Sequence, residues 1–157
     1  MTTATGGPAA HPGPRSVTLS PLLVEAIVAH VRDGYPLEAC GVIVGDRSPA
    51  KGGAARRFVP MRNAAQSRLR FDIDPLELLA LDDELDASDE AIWAVVHSHV
   101  ASAAYPSPTD VRAMELYVEQ LHLVVSLADD QPALGIFRIV DGVIHPVELL
   151  VGEGTSS

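Results

Sequence analysis

Apolar and polar positions along the chain predict an alternation of short strands and short helices. Ser16–Leu19 reads as a strand, after which Ser20 and Pro21 fit the N-cap and first position of a helix. Leu22, Leu23, Ala26, Ile27 and Val31 recur at helical spacing and give that helix an apolar face, with Gly34 placed to end it. The run 39–45, short, β-branched and bounded by Gly, reads as a buried strand, with a second strand at 57–61. Asp74 and Pro75 open a helix to about residue 86, for which Leu76, Leu78, Leu79 and Leu81 supply apolar residues.

Ala91–His99, AIWAVVHSH, is apolar until its last three residues, the pattern of a central strand buried on both faces. A loop at 100–106 leads into a helix over 107–119, then strands at 121–127, Ala133–Val140 and Val143–Val151. The last two are joined by Asp141-Gly142, a strong hairpin signal. Several strands adjoin without intervening helices, so the fold class is α+β or mixed-sheet α/β. Residues 1–15 combine Gly, Pro, Ala and Thr without periodicity and read as a disordered tail, 16–151 as one domain and 152–157 as a flexible C-terminal tail.

Composition narrows the chemistry. Cys40 is the sole cysteine, which rules out an intrachain disulfide and a thiolate cage, so a metal must be held by His and carboxylate. The formal charge of −10 disfavours nucleic acid and anionic membrane as partners. Its acidic run, Asp82, Asp83, Glu84, Asp86, Asp89 and Glu90, reads as a solvated helix face and the turn after it. No apolar stretch approaches the ~20 residues that cross a bilayer, and the N-terminus lacks a signal-peptide pattern, so the expectation is a soluble cytoplasmic protein.

His97 and His99, at i and i+2 of a strand, present two imidazoles on one face. Asp110 follows eleven residues after His99, in the first turn of the next helix, where it can reach the same cation. Two His and one Asp leave a fourth position open, the pattern of a catalytic zinc site. Such a site also needs a proton carrier, and Glu38, directly before a buried apolar run, is the candidate; an exposed strand-end Glu paired with an Arg is the competing reading. Ser107-Pro108-Thr109-Asp110 is a good helix start, so Ser107 reads as an N-cap or as a hydroxyl that stabilises an oxyanion, and both hold if the backbone supplies the cap.

Glu38, His97-x-His99, seven residues, Ser107, two residues and Asp110 together match the pattern E…H-x-H-x7-S-x2-D, and the chain resembles the JAMM (MPN+) metalloproteases over 16–151. Glu38-Ala39-Cys40-Gly41, Phe71 with Asp74-Pro75, and the stretches 104–107 and 138–142 are similar to the small bacterial members. The resemblance implies a cytidine-deaminase-like fold, a curved mixed sheet flanked by helices. It implies one zinc held by His97, His99 and Asp110, acid/base work by Glu38 and oxyanion stabilisation by Ser107. It further implies hydrolysis of a peptide or isopeptide bond at the C-terminus of a ubiquitin-like sulfur-carrier protein, removing cysteine or a short extension after Gly-Gly. A homodimer is left open. Two other readings stand beside this one, a non-catalytic MPN-type interaction scaffold and a zinc amidase acting on a small molecule. Many family members have Pro after the second His; Val100 stands there in this chain, a change that bears on the loop and substrate fit and not on the ligands.

The remaining candidates have plainer readings. Cys40 is inert packing, His30 a boundary residue, and His122 and His145 structural strand residues. His11 lies in the tail and is discounted. Asn63, Ser67 and Arg70 precede Phe71 in positions suited to contact substrate.

Overall fold

Local chemistry starts each helix where the pattern places it. In the computed structural model, which describes residues 13–117 and 119–153, Ser20 Oγ accepts from Leu23 N at 3.1 Å and caps α1 (Pro21–Gly34). Asp74 Oδ1 does the same for Leu76 N at the start of α2 (Pro75–Ser88). Strands β1 (Ser16–Leu19), β2 (Cys40–Gly45), β3 (Ala55–Met61), β4 (Ala91–His99), β5 (Leu121–Ser126), β6 (Ala133–Val140) and β7 (Val143–Val151) form one sheet of order β1-β7-β6-β5-β4-β2-β3. The β1–β7 and β4–β5 pairs are parallel and the other four antiparallel, so the sheet is mixed, as expected. The tail calls on 1–15 and 152–157 fall largely outside the described residues, as does His11.

The central strand is buried on both faces because successive side chains alternate between two cores. Ala94 and Val96 join Ile43, Leu121, Leu123 and Ile136 beneath Leu23, Ile27 and Val31 of α1. Val95 joins Cys40, Val42, Val44 and Ile139 beneath Leu81 and Leu85 of α2. His97 and His99 extend the Val95 face, so the chemistry lies on the α2 side. Ile43 pairs with Ala94 but Val44 with Ile92, which makes Trp93 the extra residue of a bulge that bends the sheet. Gly41 is required by packing: a Cβ there would stand 2.6 Å from the Phe58 ring.

Two expectations need correction. Leu22 and Ala26 are exposed, because the α1 stripe runs through Leu23, Ile27 and Val31 and those two lie beside it, over solvent. Of the apolar residues of α2, Leu76 and Leu79 are exposed, and Leu81 with Leu85 makes the buried stripe. The predicted helix over 107–119 is only α3 (Pro108–Ala113), followed by a 3₁₀ turn, Met114–Leu116. That tighter winding buries Met114 against Val95 and Ile139 while the chain turns toward β5. The acidic run is the solvated face expected, save that Glu84 and Glu90 also bind Arg57. Among the described residues no helix is long and apolar enough to cross a membrane.

Candidate metal centre

The end of β4 and the first turn of α3 converge on one point. His97 Nε2, His99 Nε2 and Asp110 Oδ2 form a triangle with sides of 3.1, 3.1 and 3.0 Å. All three residues are buried. Donors held ~2.0–2.1 Å from one tetrahedral ion stand about 3.3 Å apart, close to these sides. Two imidazole nitrogens facing each other beside a carboxylate, with no thiolate near, are a donor set that fits zinc.

Each ligand candidate is itself held. Ser107 Oγ accepts from Asp110 N at 3.1 Å while Ser107 N donates to Asp110 Oδ2 at 2.8 Å, a reciprocal capping box that fixes the carboxylate. His99 Nδ1 lies 2.8 Å from the Ala103 carbonyl, to which it donates, leaving Nε2 with a lone pair. Phe71 stacks on His97 at 4.3 Å between ring centroids. Burial keeps the His97 imidazole below its ordinary pKa, against the pull of Asp110. Burial alone would push Asp110 up, but its contacts with His97 and His99 and the Ser107 amide outweigh it and hold the carboxyl well below the usual range.

Glu38 reaches the centre through strand register. Cys40 pairs with His97 across the antiparallel β2–β4 ladder, and continuing that register by two residues sets Glu38 opposite His99. Ser98, between the two histidines, straps this end: its Oγ accepts from Ala39 N at 2.9 Å and its N donates to the Ala39 carbonyl at 3.0 Å. The other side is tied to the 62–73 loop, where Glu38 N donates to Ser67 O at 2.8 Å and Asn63 Nδ2 donates to Glu38 O at 2.9 Å. Glu38 is 4% exposed and its Oε1 has no hydrogen-bond partner among the described residues. The paired-to-Arg reading of Glu38 is therefore not what the structure shows.

Burial raises the Glu38 pKa to about 7, with His99 opposing and Asp110 reinforcing the rise. A folded-state pKa above the ordinary 4.5 means that the folded chain holds this proton more tightly than the unfolded one. Its stability contribution is complete below pH 4.5 and is lost as pH climbs to about 7. The span between those values converts to about 3 kcal/mol at ~1.36 kcal/mol per pH unit. Metal-free Glu38→Gln, which cannot titrate, is expected to gain on the wild type by up to that amount between about pH 4 and pH 8. Urea unfolding across that range checks it; parallel stability curves would show Glu38 to be ordinary.

A cavity of about 200 Å³ opens beside the centre, lined by Glu38, His99, Ser107, Val100, Ser102 and the side chains of Arg68 and Leu69. The loop residues anticipated for substrate were its neighbours. Asn63 spends its amide on the Glu38, Arg70, Ala65 and Asp72 backbone, and Ser67 Oγ accepts from Leu69 N. Arg68 and Leu69 line the cavity instead, a choice that no local pattern announces. Cys40 is inert as expected: burial, reinforced by Glu77, Asp72 and Glu38, pushes its thiol up to about 12. His30 sits at the boundary with Nε2 2.8 Å from the Cys40 carbonyl, and His145 faces Arg138 across β6–β7. His122, assigned to structure, lies with Nε2 2.8 Å from His97 Nδ1. An imidazole within the apolar run Leu121–Ser126 needs a polar partner, which was the available signal.

Metal-assisted hydrolysis is the chemistry that three convergent donors beside a buried carboxylate serve, and JAMM-type metallopeptidases are the class to which this chain's homologues belong. Within that class the chain belongs to the prokaryotic homologues of the JAB domain, whose family model matches residues 21–140. It is 37% identical over 131 residues to the CysO-cysteine peptidase of Mycobacterium tuberculosis, covering 82% of this chain and 87% of that one. A desampylase from Haloferax volcanii is 32% identical over 91 residues, 55% of this chain and 63% of its own. Among solved structures, a protein from Desulfitobacterium hafniense superposes with a TM-score of 0.76 at 29% identity, covering 89% of this chain and 95% of that one. A JAB1/MPN domain protein from Archaeoglobus fulgidus shares the fold, with a TM-score of 0.54 at 19% identity over 87% of this chain and 99% of its own.

Proposed function

We propose that this chain is a zinc-dependent peptidase that hydrolyses the amide bond after the terminal Gly-Gly of a ubiquitin-like sulfur-carrier protein, releasing cysteine or a short extension. The observation that carries the reading is the buried Glu38 carboxyl, whose Oε1 has no hydrogen-bond partner among the described residues, beside the triangle of His97, His99 and Asp110 donors. Similarity to a CysO-cysteine peptidase, whose name puts cysteine at the cleaved bond, supports the substrate class. So does access. Glu38 and His99 are only 4% and 5% exposed, so a chain segment without side chains, such as Gly-Gly, is suited to approach them, while the adjoining cavity has room for a small leaving residue.

Zinc, when bound by His97, His99 and Asp110, supplies Lewis acidity that polarises the scissile carbonyl and makes water a better acid. Glu38 takes the proton from the attacking water and delivers it to the departing amine nitrogen. Ser107 Oγ accepts from Asp110 N, so its own proton is free to point at the carbonyl oxygen as negative charge builds there. The cap and the oxyanion role are thus compatible without a separate backbone cap. Arg68 and Leu69 at the rim offer a cationic and an apolar contact to the carrier.

Incubating the zinc-loaded protein with a carrier bearing cysteine after Gly-Gly is expected to release free cysteine, read as mass loss of the carrier. Failure to cleave any Gly-Gly-extended partner would overturn the substrate assignment, and faster turnover of small amides would favour the amidase reading. Ser107→Ala is expected to lower kcat by about 10²- to 10³-fold, with loss of the cap removing roughly 1 kcal/mol of stability. Steady-state kinetics that leave kcat unchanged would confine Ser107 to capping.

A further inference from the structure

His122 is fully buried and, among the described residues, makes its hydrogen bond with a candidate ligand and with no backbone group. The parallel β4–β5 register explains the meeting: His122 pairs with Val95, which shares a face of β4 with His97, so the two imidazoles stand one diagonal step apart. Their nitrogens, His97 Nδ1 and His122 Nε2, are 2.8 Å apart, a hydrogen bond whose donor is set by the tautomers of the two rings.

Resting on the zinc reading above, we propose that His122 is a positioning residue that accepts a hydrogen bond from His97 Nδ1 and so selects the His97 tautomer whose Nε2 lone pair faces the ion. A neutral His97 can offer its Nε2 lone pair to the ion only if its proton sits on Nδ1, and that N–H has His122 Nε2 as its acceptor.

A neutral His122 that accepts at Nε2 carries its own proton on Nδ1, which has no hydrogen-bond partner among the described residues. Phe71 is its aromatic neighbour, with ring centroids 6.1 Å apart, and it also stacks on His97. Outer partners of metal-bound imidazoles are ordinarily carboxylates or carbonyls; a neutral imidazole adds no charge and leaves the ion more electrophilic.

The test uses the full chain labelled with ¹⁵N at histidine, at about pH 8 where free imidazoles are neutral. Long-range ¹H–¹⁵N spectra are expected to show, after one equivalent of zinc, the His97 proton on Nδ1 and the bare nitrogen of His122 at Nε2. His122 retaining Nε2–H in the loaded protein would overturn the proposal. Independently, His122→Leu is expected to weaken zinc binding by about 10- to 100-fold in chelator competition. His122→Gln, whose amide reaches the Nε2 position and can donate or accept, is expected to restore most of it. Unchanged affinity in His122→Leu, or no recovery in a folded His122→Gln, counts against the inference. A wild type that binds no zinc removes both readings; one that binds zinc with His97 in the Nδ1–H tautomer yet cleaves no carrier removes the substrate reading alone.

Discussion

Glu38→Gln is expected to lower kcat by roughly 10²- to 10⁴-fold while zinc content stays at one per chain. Gln matches Glu in shape, so the strap from Ala39 to Ser98 and the ties to Ser67 and Asn63, all made by backbone, persist. What disappears is the ability to accept a proton from water and return it to the leaving amine. Because Glu38 Oε1 makes no hydrogen bond, the substitution breaks no buried pair, and the loss falls on turnover. Zinc analysis and single-turnover kinetics on the same sample check both halves. Retained turnover would remove Glu38 from the role of base; lost zinc would mean that Glu38 helps to hold the metal.

Asp110→Ala is expected to abolish stoichiometric zinc binding and with it all peptidase activity. The affinity loss should exceed the 10- to 100-fold typical of removing an outer-shell partner. Asp110 Oδ2 meets His97 Nε2, His99 Nε2 and Ser107 N at 3.1, 3.0 and 2.8 Å, so its removal takes away a candidate ligand and half of a capping box. Loss of the box costs about 1 kcal/mol in addition. Asp110→Asn separates the two effects, because an amide oxygen can still accept from Ser107 N while offering the ion no charge. Isothermal titration with zinc is expected to show negligible binding for Ala and greatly weakened binding for Asn, with Asn unfolding closer to wild type. Wild-type zinc affinity in Asp110→Ala would dismantle the ligand assignment.

Features with a short-range cause were legible in the sequence. Ser20-Pro21 and Asp74-Pro75 start helices because a side-chain oxygen and a preset φ act within a few residues, and both caps form. Asp141-Gly142 turns the β6–β7 hairpin with φ of 51° and 77°, the left-handed pair such a turn needs. The switch from apolar to polar at the end of β4 marked the two histidines, since burying them demands partners. Long-range choices were hidden. Leucines lie all round α2, and only contact with the sheet decides that Leu81 and Leu85 turn inward and Leu76 outward. Nothing along β5 says that it runs parallel beside β4, so the neighbour of His97 could not be read from the spacing of His122. The Arg68 and Leu69 rim depends on the path of the 62–73 loop, which is set by contacts that Asn63 makes with four separate backbone groups.

That asparagine has a mechanical corollary. Asn63 Nδ2 on the Glu38 carbonyl and the Ser67 carbonyl on the Glu38 amide are two rivets joining the backbone of Glu38 to the loop whose tip carries Leu69, itself 85% exposed. Under the proposed reading, a carrier that pressed on the tip would also load the Glu38 backbone. Gripping the partner and aligning the proton carrier would then be two readings of one lever, and loosening the Asn63 rivet is expected to move KM and kcat together.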